Sequence, residues 1–238
     1  MRNTTILAVT LSLALVGCGN GKAPSEKLKD ATEELVEEAS GEVVPPLAEG
    51  PYAPRDECVG LPGADAFRER IRRAVEARDA AALVALAAPD VKLDFGGDAG
   101  SAELKARLDG EQSNLWRELD ALLAMGCAAE GEASMTLPWY FSQEIDEVDP
   151  MMGMIVTGEG VPLLLAPERD SDVLEAISWD VVQLVDGFRA EDRFQHVETT
   201  KDKRGYIATD RLRSLIDYRL LASSRDGKWS ITSLVAGD

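Results

Sequence analysis

Met154-Ile155-Val156, Val161-Pro162-Leu163-Leu164-Leu165, Val173-Leu174-Glu175-Ala176-Ile177-Ser178, Val181-Val182-Gln183-Leu184-Val185, Phe194-Gln195-His196-Val197-Glu198 and Gly205-Tyr206-Ile207 succeed one another within residues 154–207, with turn residues between them. The runs are short, closely spaced and rich in Val, Ile and Leu, a pattern of strands rather than helices. Evenly spaced short strands predict a small all-β barrel, which we assign to residues 151–214.

On the C-terminal side, Tyr218 to Ser223 and Trp229 to Val235 flank Arg225-Asp226-Gly227-Lys228. Asp-Gly between two alternating runs predicts a β-hairpin. It occupies residues 215–238 and either stands alone or completes the domain that precedes the barrel. That domain, residues 55–150, reads as mixed. Phe67, Ile71 and Val75 share one helical face while Arg68, Arg70, Arg72 and Arg73 populate the rest. Asp79 is placed to cap a second helix holding Leu83 and Leu86, with Pro89 as its stop. Val91 to Phe95 alternates like a strand before the turn Gly96-Gly97-Asp98-Ala99-Gly100. Ser101 then opens a helix carrying Leu104 and Leu108, and Leu115, Leu119 and Leu122 mark another, closed by Gly126. Met135 to Phe141 predicts a strand leading into an acidic loop, Gln143 to Pro150. The fold class expected is α+β: a helical and mixed N-terminal domain, the small barrel and the hairpin.

At the N-terminus, Arg2 precedes an apolar run from Ile6 to Val16. About 11 residues fall well short of the roughly 20 that span a bilayer, so residues 1–17 read as a signal peptide. Leu15-Val16-Gly17-Cys18 resembles the bacterial lipobox. The resemblance implies lipidation of Cys18 after cleavage before it, and Gly19, where an aspartate would retain the protein, implies sorting to the outer membrane, facing the periplasm. Residues 18–54, dominated by Glu with Pro45-Pro46 near the end, read as an acidic flexible tether. With Cys18 modified, Cys58 and Cys127 remain as an even pair in a compartment that permits disulfides; two separate buried thiols are the alternative.

The chain of 238 residues has 25 Lys plus Arg against 43 Asp plus Glu, a net charge of −18. Phosphate neutralisation needs clustered Lys and Arg, so a nucleic-acid partner is excluded. A single histidine, His196, and three cysteines leave too few groups for most histidine triads and zinc sites. His196 itself reads as an ordinary strand residue. Asp90, Asp94 and Asp98 invite a calcium reading, but a loop counted from Asp94 ends at Lys105 where a bidentate Glu is required. No metal or cofactor is expected. Nothing in the pattern sets two carboxylates opposite one another for acid–base work, so no catalytic residue is assigned. Trp116, Trp139, Trp179 and Trp229 fall in predicted helices or strands, where an aromatic is ordinarily core.

Val161-Pro162-Leu163 with Ala166-Pro167, Val173-Leu174, Val181 to Val185 and Gly205-Tyr206-Ile207 resemble a bacterial Src-homology-3-type domain. The chain departs from that family at Val161-Pro162-Leu163-Leu164, where Asn-Val-Arg is usual, and at Phe194, where Trp is common. Aromatics border the groove in that family, which implies Trp179 and Tyr206 as ligand contacts. Ala77 to Leu83, Ala88-Pro89-Asp90-Val91 and Gly227 to Thr232 look like the opening helices and closing strands of the cystatin-like cone shared by nuclear-transport-factor-like proteins. The Phe95 to Asp98 turn and the Ala236 to Asp238 end resemble those of bacterial envelope lipoproteins, a resemblance that brings no activity with it. Together these imply a non-enzymatic binding module for peptidoglycan or another envelope component, held on the lipid bilayer through Cys18. A periplasmic enzyme using a cone cavity, or a structural partner of an envelope protein, is the alternative.

Overall fold

A computed structural model describes residues 48–97, 99–110 and 114–237. The signal peptide, Cys18 and the tether through residue 47 lie outside the described residues, as does Asp98. Residues 47–238 form one compact unit, and the chain there is α+β.

Helix α1 (Ala64–Glu76) buries Phe67, Ile71, Ala74 and Val75, the face its spacing predicts. Helix α2 (Ala80–Val84) begins as expected, with the Asp79 carboxylate accepting from the Ala82 N–H at 2.9 Å. It stops before Pro89, which lies instead in β1 (Ala87–Lys92). That position is tolerable because β1 is an edge strand, where a missing N–H need not break a ladder. Helix α3 (Ser101–Asp109) is preceded by Gly100 without the side-chain cap expected of Ser101. Helix α4 (Leu115–Ala124) buries Leu115, Leu119 and Leu122. After β2 (Ala128–Ala129), strand β3 (Ser134–Leu137) ends sooner than predicted, and Trp139–Ser142 form a single 3-10 turn.

Seven strands follow: β4 (Gly153–Val156), β5 (Val161–Leu164), β6 (Val173–Ile177), β7 (Val181–Leu184), β8 (Phe194–Thr199), β9 (Arg204–Ala208) and β10 (Leu212–Ser214). They make one antiparallel sheet in the order β10-β4-β7-β8-β9-β5-β6. Its core is Val156, Leu163, Val182, Val197 and Ile207 with their neighbours. The last two strands, β11 (Arg219–Arg225) and β12 (Lys228–Val235), form the predicted hairpin. Asp226 and Gly227 have φ of 52° and 75°, the two positive values that a two-residue primed turn needs.

The hairpin does not stand alone. It is the middle of a five-stranded sheet, β1-β12-β11-β3-β2, with β12 parallel to β1 and β11 antiparallel to β3. Trp229 stacks on Phe67 of α1 at 6.2 Å and donates its indole N–H to the Pro62 carbonyl at 2.8 Å. The helices and this sheet thus share one core. A third cluster, including Tyr52, Met125, Trp139, Tyr140, Ile155, Val181 and Leu215, draws on both sheets and seals their junction. The tether was expected to continue to residue 54. Its last residues are instead part of the folded body: Tyr52 and Ala53 are buried, and the Tyr52 N–H donates to the Trp179 carbonyl at 2.9 Å. An apolar Tyr-Ala pair gains more by packing into the junction than by staying in water.

Cys58 and Cys127 are joined by a disulfide, with Cα atoms 5.8 Å apart and both residues fully buried.

Candidate functional site

Along β8 and β9, Gln195, Val197, Gly205 and Ile207 point into the core, so His196 and Tyr206 project outward. The two are directly paired across the strands, which brings their rings to 4.9 Å at an interplanar angle of 18°. His196 Nδ1 lies 2.9 Å from Asp186 Oδ2. A carboxylate thus fixes the imidazole, and the imidazole supports the phenol ring, giving a flat aromatic wall with polar edges.

The loop beside this wall, residues 186–193, is held by a buried amide. Gln195 Nε2 donates to the Arg189 carbonyl at 2.7 Å and to Thr209 Oγ1 at 2.9 Å, while its Oε1 accepts from the Arg189 N–H at 3.1 Å. Thr209 Oγ1 donates to the Asp192 carbonyl at 2.6 Å. These bonds shape an open cavity of about 840 Å3 lined by Pro167, Arg169, Arg189, Phe194, His196 and Tyr206, among others. Phe188, on the same loop, is half exposed. Gly205 allows the close approach behind Tyr206, since a Cβ there would sit 2.6 Å from the Leu164 carbonyl oxygen.

Tyr206 and Trp179 do not share this cavity. Trp179 lies between β6 and β7, not in a strand, with φ of 42°. It lines a second cavity of about 880 Å3 between α4 and the seven-stranded sheet. The two cavities lie on either side of the 191–194 segment and share Arg169, Arg193 and Phe194. The other tryptophans are structural, as expected: Trp116 donates to the Leu108 carbonyl at 2.9 Å and Trp139 to Glu57 Oε1 at 2.8 Å.

At the inner end of the second cavity Arg213 is only 8% exposed. It donates to Glu118 Oε2 and to the Tyr218 carbonyl, both at 3.0 Å, and lies 3.2 Å from Asp217 Oδ2. Burial holds the Asp217 carboxyl above its ordinary value, against the pull of Arg213. Burial likewise pushes the Tyr140 phenol up to about 12. The cluster is a hydrogen-bonded ion network joining the two sheets.

His196, which reads from the sequence as an ordinary strand residue, stands against Tyr206, and its neighbour Gln195, which no motif marks, pins the loop. Their signal was parity: in two strands joined by a short turn, His196 and Tyr206 are equidistant from the turn and therefore cross-strand neighbours. The calcium reading ends differently. Asp94 Oδ1 accepts from the Gly96 and Gly97 N–H groups at 2.9 Å and Oδ2 faces Arg107 at 2.8 Å, so this carboxylate serves a turn. Asp56, Cys58 and Cys127 also cluster, but both sulfurs are spent in the disulfide. In the acidic loop, Glu147 accepts from the Tyr52 hydroxyl at 3.2 Å.

No family model matches the chain, and no curated protein matches it. Among solved structures, an NTF2-like protein with a cystatin-like fold from Novosphingobium aromaticivorans aligns over 90% of each chain at 14% identity, with a TM-score of 0.26. A likeness that loose carries no argument about fold or function. No helix among the described residues is long and apolar enough to cross a membrane.

Proposed function

We propose that this protein is a bacterial envelope lipoprotein, anchored through lipidated Cys18, whose 151–214 sheet is a Src-homology-3-type barrel that binds peptidoglycan or another envelope component. The observation that carries the reading is the Tyr206–His196 ring pair, braced by Asp186 and standing in an open cavity beside a pinned loop. A flat aromatic surface ringed by hydrogen-bonding groups suits a sugar ring or a peptide plane. The five-stranded sheet would then be a cone of the cystatin-like type, interrupted by the barrel between β3 and β11. The lipobox residues Leu15 to Cys18 and the export they imply agree with the disulfide.

The test is co-sedimentation of residues 47–238, the unit that contains the disulfide and all three cores, with purified sacculi over a salt series. We expect salt-resistant pelleting that Tyr206→Ala abolishes without lowering the melting temperature. A protein that stays in the supernatant at every salt concentration removes the wall-binding reading. Anchoring is checked separately: an inhibitor of lipoprotein signal peptidase should accumulate the uncleaved precursor, and unchanged processing would refute it.

A further inference from the structure

The cleft between α4 and the seven-stranded sheet is left unused by the Tyr206 reading. Ala121, Ala124 and Met125 of α4 line one side of it, and Trp179, Phe194 and Leu212 the other. These side chains make an apolar stretch within a cleft of about 880 Å3 that remains open at the surface and is otherwise lined by polar and charged residues. Its Trp179 is held where bulky residues rarely go. With φ of 42° the residue is in the left-handed region, and it is kept there by two backbone bonds. Its N–H donates to the Gly158 carbonyl at 3.0 Å and its own carbonyl accepts from the Tyr52 N–H at 2.9 Å. A strained backbone that presents a half-buried indole to a cleft is the kind of outlier that accompanies a binding site.

The polar part of the cleft is as informative. Arg169 and Arg193 line it, and among the described residues neither guanidinium has an ion-pair or hydrogen-bond partner, although Glu191 and Asp192 line the same cleft. Arg213, by contrast, spends its two terminal nitrogens on Glu118, Asp217 and the Tyr218 carbonyl and keeps only its buried Nε without a partner, so it mainly shapes the floor. Among the described residues, the unpaired charge lining the cleft is mixed: Glu191, Asp192 and Asp210 supply carboxylates, and Arg169 and Arg193 supply two planar forks, the groups that suit carboxylate, phosphate or sulfonate.

We propose that this cleft binds an amphipathic anion, with its apolar body against Trp179, Phe194 and Met125 and its acidic head between Arg169 and Arg193. The site adjoins the Tyr206 cavity and shares Arg169, Arg193 and Phe194 with it, while the wall formed by Ala121, Ala124, Met125 and Trp179 belongs to this cleft alone. A fatty-acid chain and an aromatic acid share this chemistry and differ only in the body that fills the cleft.

The test uses residues 47–238 and the fluorescent anion 8-anilinonaphthalene-1-sulfonate, with its uncharged counterpart N-phenyl-1-naphthylamine as control. We expect saturable one-to-one binding of the anion, weakened about tenfold by Arg169→Gln with Arg193→Gln, as expected for loss of charge-assisted hydrogen bonds. Binding of the uncharged probe should not change in that variant. Ala124→Trp, at an exposed position on the cleft wall, should block both probes while leaving the melting temperature and sacculus pelleting as they were. Displacement by dodecanoate marks a chain-shaped body and displacement by 1-naphthoate a ring-shaped one. Displacement by neither, stronger displacement by dodecyltrimethylammonium, or equal binding in the double Arg variant overturns the proposal.

Discussion

Arg213 reaches from β10 to Glu118 on α4 and to Asp217 before β11, so one side chain ties three segments of the chain together. Removing it leaves Glu118 and Asp217, at 14% and 31% side-chain exposure, without their buried counter-charge, with only the exposed Arg117 still 3.5 Å from Glu118. Arg213→Met should cost about 3–5 kcal/mol, the range for breaking a buried pair from one side, measured as a fall in the urea midpoint. Replacing Glu118 and Asp217 by Gln and Asn in the same variant should recover part of that loss; no recovery would mean that Arg213 acts through packing alone. The tyrosines give a second test at this scale. Burial pushes both Tyr52 and Tyr140 up to about 12 from 10.0, with Glu147 adding to the shift at Tyr52. For each, the folded state prefers the neutral phenol. That stability is fully present below pH 10 and is lost as pH rises through 12. A spectrophotometric titration should therefore show Tyr52 and Tyr140 ionising late, together with alkaline unfolding. Tyr140→Phe should remove one late titration and soften the alkaline loss.

At the scale of elements, the hairpin shows what local sequence can specify. Asp226 and Gly227 carry their turn in their own backbone preferences, and β11 and β12 follow at the predicted places. Gly227→Val should cost roughly 1–2 kcal/mol, because a β-branched residue resists the left-handed conformation, and a melting curve indistinguishable from the parent would contradict this. The strands between residues 153 and 208 were legible for the same reason: each is a short alternating run bounded by turn residues. What was not legible depends on partners distant in sequence. Pro89 reads as a helix stop until β12 arrives beside β1 from over 130 residues away. Tyr52 and Ala53 read as tether until the junction core is present to bury them. Of the candidate site, Tyr206 was singled out through resemblance and His196 was read as an ordinary strand residue, since the ring pair they form depends on the register of the two strands. Trp179 was placed in a strand, whereas its position on the cleft wall follows from a backbone conformation that no propensity favours.

For the whole molecule, the decisive fact is that the first and last parts of the compact unit make one sheet while the seven-stranded sheet is strung between them. Such a unit depends on contacts between chain ends, which are costly in loop-closure entropy. The disulfide acts on that cost. Cys58 and Cys127 are 69 residues apart, and the bond ties the segment entering α1 to the residue between α4 and β2. Closing a loop of this length stabilises the fold by about 4 kcal/mol on the chain-entropy model. It leaves the seven-stranded sheet outside the closed loop, because every strand of that sheet follows Cys127. Cys58→Ser with Cys127→Ser should therefore lower the urea midpoint reported by Trp116 and Trp229 in the helical half. If the two sheets unfold as one cooperative body through their shared junction core, Trp179 should report the same shifted midpoint. Separate midpoints would show that the Arg213 network and the Tyr52 cluster are too weak to couple them. We expect a single transition, because the junction buries large aromatic and aliphatic side chains from both sheets and that burial outweighs what surface pairs supply.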